Sequence, residues 1–113
     1  MAMYSNLTVD QGSTFGAEID VTDSSGDALD LNGYTVAGQM RKTYTSATST
    51  AFTSSVFNAA GGVVKIALNA TTTNALKAGR YVYDVEITKT STSEITRIIE
   101  GQLEVRPGVT RVS

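Results

Sequence analysis

The sequence predicts an all-β protein, an antiparallel β-sandwich of about seven strands, with a partly open barrel as the alternative. In residues 79–87, Tyr81, Tyr83, Val85 and Ile87 alternate with mostly polar residues. Because successive side chains leave opposite faces of a strand, this period of two indicates a strand with one buried face. The same pattern recurs between clusters of Gly, Asn, Asp and Ser, at the spacing of roughly 8–12 residues that is typical of sandwiches.

The N-terminal part of the chain predicts three strands, at residues 6–10, 14–21 and 34–42. The strand at 14–21 is the clearest, since Phe15, Ala17, Ile19 and Val21 share one face. Residues 22–32 are expected to form a loop, because Asp and Ser favour turns and Gly accepts a positive φ.

The C-terminal part predicts four more strands, at residues 51–57, 63–69, 79–88 and 95–105. Residues 43–50 contain no periodic apolar side chains, which predicts an exposed loop or edge. In the last strand the alternation places Ile99 on the inner face and Ile98 on the outer face.

Residues 70–78 are the one stretch that favours a helix, and a single turn is expected there. Thr71 or Thr72 is the predicted N-cap, and Leu76 is the predicted apolar anchor. Gly79 is expected to end the helix.

The composition excludes several classes of function. The 113 residues include no cysteine and no histidine, and their net charge is −2. The lack of histidine removes the usual general base near neutral pH and the commonest zinc ligand. The basic residues are scattered and the balance is acidic, which argues against a nucleic-acid partner. No apolar run approaches the roughly 20 residues of a membrane span, and no basic-then-apolar leader opens the chain.

We therefore expect a single domain over residues 1–113, with flexible ends at residues 1–5 and 108–113. We expect no enzyme activity, no catalytic, cofactor-binding or metal site, and no small-molecule substrate. Contacts with nucleic acid or a membrane are not expected either.

Two groups of carboxylates have both a chemical and a structural interpretation. Asp20, Asp23, Asp27 and Asp30 have the oxygen chemistry of calcium ligands, but their spacing departs from the calcium-loop pattern, so they are interpreted as turn formers. Asp84 and Glu86 lie on one strand face. A glycosidase pair and a solvated face both show this arrangement, and the solvated face is favoured in so small a domain.

Other residues are interpreted structurally. The order Leu76, Gly79, Tyr81 is similar to a tyrosine corner, in which a Tyr hydroxyl bonds backbone at one end of a sandwich, and Tyr83 is the other candidate for that role. Asn6 and Asn69 begin N-x-T glycosylation sequons, a pattern that often occurs by chance.

Acidic and basic residues are unevenly distributed along the chain. Residues 1–40 contain six acidic residues and no basic one, whereas residues 41–113 contain all nine basic residues and five acidic ones. Two interpretations stay open. In the first, interleaved strands bring acidic and basic residues together inside the domain. In the second, one acidic and one basic surface of the domain contact surfaces of opposite charge on neighbouring copies in an assembly.

The order of several short motifs resembles a known family. The motifs are Leu7-Thr8-Val9-Asp10-Gln11-Gly12-Ser13-Thr14-Phe15, Asp27 with Asp30-Leu31-Asn32-Gly33-Tyr34, Gln39-Met40-Arg41, Gly79-Arg80-Tyr81-Val82-Tyr83-Asp84-Val85, and Arg97 with Gly101 and Val105-Arg106-Pro107-Gly108-Val109-Thr110. In this order they are similar to small immunoglobulin-like (Ig-like) proteins and domains of tailed bacteriophage virions. The N-terminal domain of phage baseplate upper proteins has a similar layout of acidic loop, Leu-x-Gly-Tyr turn, Gly-x-Tyr strand and closing strand that ends near Pro.

The resemblance covers nearly the whole chain, and it implies an Ig-like sandwich that is a non-enzymatic virion component present in several copies. It implies a place in a tail, baseplate, fibre adaptor or capsid decoration, with other virion proteins and further copies of itself as partners. The chain lacks the long helical and receptor-facing parts of baseplate upper proteins. An anchor or adaptor role is therefore expected.

An alternative function belongs to a different class. A carbohydrate-binding or adhesive module would recognise a host-surface glycan through an aromatic side chain on an outward face. Tyr44, within the polar stretch 43–50, is the candidate residue for this contact.

Overall fold

Two β-sheets pack face to face in this protein. The computed structural model describes residues 3–108, and within them it contains nine β-strands and one short helix. In chain order they are β1 (Met3–Tyr4), β2 (Leu7–Asp10), β3 (Phe15–Asp20), β4 (Tyr34–Arg41), β5 (Thr50–Ala51), β6 (Thr53–Asn58), β7 (Val63–Leu68), α1 (Ala70–Ala75), β8 (Gly79–Lys89) and β9 (Glu94–Arg106).

The sheet topology confirms the all-β, Ig-like sandwich. The first sheet has the strand order β1–β9–β8–β4–β5, with β2 also paired to β9, and the second has the order β3–β7–β6. The pairing is antiparallel except for β1 and β2, which run parallel to β9. The turn at residues 11–13 leads from β2 across to β3 in the other sheet, so the chain forms no hairpin there.

The core lies between the sheets and consists of the inward side chains that the alternation predicts. On β8, Tyr83, Val85 and Ile87 are 0–4% exposed, and on β7, Val64 and Ile66 are fully buried. Burial of each such aliphatic side chain stabilises the fold by roughly 1.5–3 kcal/mol. The same periodic residues thus form both the strands and the core.

The predicted strand at residues 51–57 is two strands in different sheets. β5 pairs with β4, whereas β6 pairs with β7, so the chain changes sheets at Phe52. Phe52 is 6% exposed, and its ring centroid lies 6.2 Å from those of Phe15 and Tyr83. Burial of this one ring between the sheets explains the crossing, which the weak local periodicity did not indicate.

The helix has a different N-cap from the one that the sequence predicted. Asn69 caps α1, since its Oδ1 accepts a hydrogen bond of 2.8 Å from the backbone N–H of Thr72. The prediction of Thr71 or Thr72 is wrong because the helix starts at Ala70. Leu76 packs against the core as expected, but Gly79 begins β8, after the helix has already ended.

A tyrosine corner closes the connection between α1 and β8. The hydroxyl of Tyr81 donates a hydrogen bond of 2.8 Å to the backbone carbonyl of Lys77, four residues upstream. The prediction of a corner at Tyr81 is therefore confirmed.

Tyr83 holds the first strands against the last one. Its hydroxyl donates a hydrogen bond of 2.5 Å to the backbone carbonyl of Ser5, which lies between β1 and β2. The Ser5 N–H in turn donates to the carbonyl of Glu100. Gly101 faces Tyr83 across the β8–β9 pair, and any Cβ at Gly101 would overlap the Ser5 carbonyl. Because Gly101 has no side chain, the Ser5 backbone can lie directly against β9.

The N-terminal end is more structured than the sequence predicted. Met3 and Tyr4 form β1 beside β9, whereas residues 1–5 were expected to be a free end. At the other predicted flexible end, the backbone N–H of Gly108 donates a hydrogen bond of 3.2 Å to Gln11 Oε1, whereas residues 1–2 and 109–113 lie outside the described residues. No helix within residues 3–108 is long and apolar enough to cross a membrane.

Substitution of Gly101 tests the close approach of Ser5. Gly101→Ala should lower the free energy of unfolding by about 1–3 kcal/mol, because the new methyl group overlaps backbone that cannot rotate away. Gly16→Ala is the matched control in β3, since the nearest atom to its Cβ is Lys65 Cε at 3.9 Å. The control should stay within about 0.5 kcal/mol of wild type or exceed it. Equal urea midpoints for the two variants would contradict this account.

Alkaline titration tests the buried hydroxyl of Tyr83. Desolvation by burial, with a smaller contribution from Tyr4, raises the pKa of Tyr83 to about 12. The unfolded chain ionises near pH 10, so the stability that this group contributes is fully present below about pH 10 and is lost as the pH rises to about 12. Absorbance of tyrosinate should show an ionisation step near pH 12, and Tyr83→Phe should remove that step. A titration without a step near pH 12, or one that Tyr83→Phe leaves unchanged, would refute this account.

Candidate functional site

The outer face of the first sheet carries a shallow groove with a volume of about 420 Å³. We call it the sheet groove. Strands β4, β8 and β9 form its floor, and their registers place outward residues in rows across the sheet. Its polar lining residues are Gln39, Arg41, Tyr44, Asp84, Glu86, Arg97 and Glu100.

A bulge in β9 brings Arg97 into the sheet groove. Val85 pairs with Ile99 but Glu86 pairs with Arg97, so Ile98 is an extra residue on β9. Without this bulge, the period of two would place Arg97 on the same inward face as Ile99. Ile98 is 8% exposed, so its predicted outward position is wrong. The bulge buries both isoleucines and turns the guanidinium outward.

Charges of both signs meet on the floor of the sheet groove. Arg97 Nε lies 3.3 Å from Asp84 Oδ2, and Arg97 Nη1 lies 3.5 Å from Glu100 Oε1. The three side chains are 34–48% exposed, so each ion pair contributes at most about 1 kcal/mol. The ion pairs matter mainly because they fix the positions of these side chains. They hold planar donor and acceptor groups in a row that faces solvent.

Arg41 fixes the loop that carries Tyr44. Its Nη1 donates a hydrogen bond of 2.8 Å to the carbonyl of Ser46, and its Nη2 donates one of 3.1 Å to Gln39 Oε1. The backbone N–H of Thr43 donates to Ser46 Oγ at 3.0 Å. Tyr44 stands at the rim of the groove with 77% of its surface exposed. The prediction of an exposed loop or edge at residues 43–50 is therefore confirmed, with a loop up to residue 49 and Thr50 on edge strand β5, and the aromatic residue of the loop lies beside the charged floor.

The sequence named some of these residues and missed others. It placed Asp84 and Glu86 on one outward face and selected Tyr44, and the structure brings all three into one groove. It did not identify Arg97, because the bulge reverses the local alternation, or Arg41, whose contacts depend on a loop five residues away.

The loop at residues 22–32, after β3, is held by its own carboxylates. Asp23 Oδ1 accepts hydrogen bonds from the N–H groups of Ser25 and Asp27. Asp30 accepts from the backbone and side chain of Asn32, which lowers the pKa of Asp30. Both therefore act as turn formers, as the sequence predicted. Within residues 3–108, no three His, Cys, Asp or Glu side chains are grouped to hold a metal ion.

The two sequon asparagines also have structural roles. Asn6 Oδ1 accepts a hydrogen bond of 3.2 Å from the backbone N–H of Gln102. Asn69 is the N-cap of α1. Both amides thus stabilise backbone groups of the sandwich.

Comparisons with known proteins show the fold and nothing finer. No family model and no curated protein matches this sequence. The chain is similar to InlP of Listeria monocytogenes, with a TM-score of 0.50 and 16% identity, and the match covers 93% of this chain and 28% of that one. A second similar structure is a family 123 glycoside hydrolase from Clostridium perfringens, described for glycolipid glycan hydrolysis. Its TM-score is 0.43 at 14% identity, covering 96% of this chain and 24% of that one.

This chain therefore spans about a quarter of the length of each of these two structures. The likeness to InlP shows the sandwich fold alone, because structures diverge in function long before they diverge in fold. The likeness to the hydrolase carries no argument about activity.

Proposed function

We propose that this protein is a non-enzymatic structural component of a tailed-phage virion, in a tail, baseplate, fibre adaptor or capsid decoration. It acts through contacts with other virion proteins and with further copies of itself. The ordered motifs that resemble Ig-like phage domains support this proposal. The structural observation that carries it is the position of exposed apolar side chains on the edges of both sheets.

Within residues 3–108, five large hydrophobic residues are exposed, and three of them lie on edge strands. Met3 and Tyr4 on β1 are 50% and 65% exposed, and Phe57 on β6 is 59% exposed. Edge strands are natural contact points between proteins. Contacts at these edges would bury the side chains that the isolated domain leaves in water.

The edges are built to discourage indiscriminate strand pairing. β5 has only two residues, and the register of β6 against β7 shifts at Phe57. Short and bulged edges resist extension by another chain's backbone. The ammonium of Lys65 also lies 5.7 Å from the centre of the Phe57 ring. Contacts at these edges are therefore expected to be made by side chains, which permits a specific partner.

Immunogold labelling of particles from a lysate that contains the protein tests the virion role. Antibody raised against the purified domain should label one locus, such as the tail tip, the neck or the capsid, because a structural component occupies a defined place in the particle. Electron microscopy reads out the position. The free protein spotted on the same grid is the positive control, and unlabelled particles beside labelled free protein would reject the virion role.

The sheet groove favours a second candidate function, the recognition of a host-surface glycan. The specific observation is that Tyr44 stands exposed beside a row of fixed amide, carboxylate and guanidinium groups. Sugar rings stack on aromatic faces, and their hydroxyl groups need both donors and acceptors.

A glycan array tests this second candidate. Wild type should bind a subset of glycans, Tyr44→Ala should lose roughly tenfold or more in affinity, and Tyr44→Phe should retain most of it because the ring face remains. Gln39→Ala should weaken binding as well, since it removes a groove amide. If no glycan binds, or if Tyr44→Ala binds as wild type does, the glycan function is rejected.

A further inference from the structure

The two ends of the sandwich are defined by the direction of β4. This strand begins at Tyr34, beside the loop of residues 22–33, and ends at Arg41. The turns near Ala59 and Thr90 lie at the first end, since they hydrogen-bond to Leu31 and Gly33. The α1–β8 connection lies at the other end, because Val82 pairs with Arg41.

An acidic loop protrudes from the first end. We define it as residues 20–30, whose four carboxylates, Asp20, Asp23, Asp27 and Asp30, all belong to exposed residues. The backbone N–H of Asp23 bonds the carbonyl of Asp27 at 2.8 Å, and the Asp23 carboxylate accepts two further backbone N–H groups. The loop is therefore preorganised, which lowers the entropy cost of docking. Lys89 and Glu94, in the adjacent hairpin, cancel each other in charge.

A basic groove lies at the opposite end. It has a volume of about 520 Å³ and is formed by residues 40–42, 48–50 and 75–78 with Tyr81. We call it the end groove. Arg41, Lys42 and Lys77 line it, and none of its lining residues is acidic. Lys42 is an exposed residue, and its ammonium lies 4.9 Å from the centre of the ring of Tyr81, which also lines the groove.

The charges of these two ends are not matched inside the domain. The three salt bridges within residues 3–108 all join residues between 84 and 106. Register pairs Asp10 with Arg106 and Glu18 with Lys65, so internal matching accounts for two acidic residues of the N-terminal part. Among residues 3–108, it leaves the acidic loop and the lysines of the end groove without an opposite charge within about 4 Å.

We propose that the acidic loop of one copy docks into the end groove of a second copy, so that copies associate head to tail. The inference rests on the proposed role as a repeated virion component, and it names the partner as a further copy of this chain. The acidic loop carries four carboxylates, and the end groove is lined by three cationic side chains and is large enough to hold a ligand. The two surfaces are therefore complementary in charge. The uneven charge distribution along the chain is then explained, at the two ends, by charge matching between neighbouring copies.

Such a contact has a defined symmetry. Because the two docking surfaces are different and lie at opposite ends, the interface is heterologous, and it produces a ring or a filament according to whether the rotation closes. Exposed charges dominate the contact, so association should weaken as salt rises. The sheet groove lies on a side face and stays accessible in such an assembly.

Charge reversal at each end tests the contact by analytical ultracentrifugation. Wild type should self-associate in about 0.02 M salt and dissociate in about 0.5 M salt, because these charges are screened. Asp20→Lys with Asp27→Lys, and separately Lys42→Glu with Lys77→Glu, should each weaken association by roughly tenfold or more. The side chains of Asp20 and Asp27 accept no hydrogen bond within residues 3–108, so the loop keeps its shape. Glu18→Lys with Glu86→Lys changes the net charge by as much as the loop variant does, at mid-strand positions of β3 and β8, and should associate as wild type does.

Mixing the two double variants isolates the head-to-tail geometry. Each variant retains one intact end, so the mixture should form a one-to-one dimer and nothing larger. The quadruple variant has neither end intact and should stay monomeric, because its loop retains Asp23 and Asp30 beside the two new lysines and so carries no net charge. A wild-type monomer in about 0.02 M salt, or undiminished association of either double variant, would overturn the proposal.

The experiment separates this proposal from the virion role. If the protein self-associates with the predicted charge pattern but the immunogold antibody labels no particles, the head-to-tail contact is supported and the virion role is rejected. If the antibody labels particles but the protein stays monomeric at low salt, the virion role is supported and the head-to-tail contact is rejected.

Discussion

The alternation of inner and outer side chains on β8 is the constraint on which the rest of the structure depends. Tyr83, Val85 and Ile87 face the core and are almost fully buried, while Asp84 and Glu86 form part of the sheet groove. β8 pairs with β4 on one side and β9 on the other, so a slip of one residue would exchange the two faces. The stability of the core and the chemistry of the outer surface therefore depend on one register.

Two tyrosines on the same face of β8 connect that strand to distant parts of the chain. Tyr81 bonds the backbone of Lys77 and closes one end of the sandwich, whereas Tyr83 bonds Ser5 and fixes the path between β1 and β2. The second bond requires Gly101, because a side chain there would displace the Ser5 backbone. The Tyr83 hydroxyl and the missing side chain at Gly101 thus support the parallel pairing of the first strands with the last.

Three kinds of surface remain available once the core has formed. The sheet groove presents fixed polar groups and Tyr44, the sheet edges present Met3, Tyr4 and Phe57, and the two ends present opposite charges. These surfaces do not overlap, apart from Arg41, which lines both grooves. A domain of this shape can contact neighbours along its edges and ends and still display its side face, so a structural role and glycan recognition are compatible.

The sequence by itself determined the strands with strict alternation, such as β3, β7 and β8, and the turn-forming role of the acidic loop. It also determined that Tyr44, Asp84 and Glu86 are outward residues, because period two and turn chemistry are properties of adjacent residues. Only the tertiary structure decided the change of sheet at Phe52, the Asn69 cap and the bulge that turns Arg97 outward. These features depend on burial against residues far along the chain, which local patterns do not encode. The separation of the acidic loop from the end groove was also decided by the tertiary structure. The directions of the strands place these two oppositely charged parts of the chain at opposite ends of the sandwich.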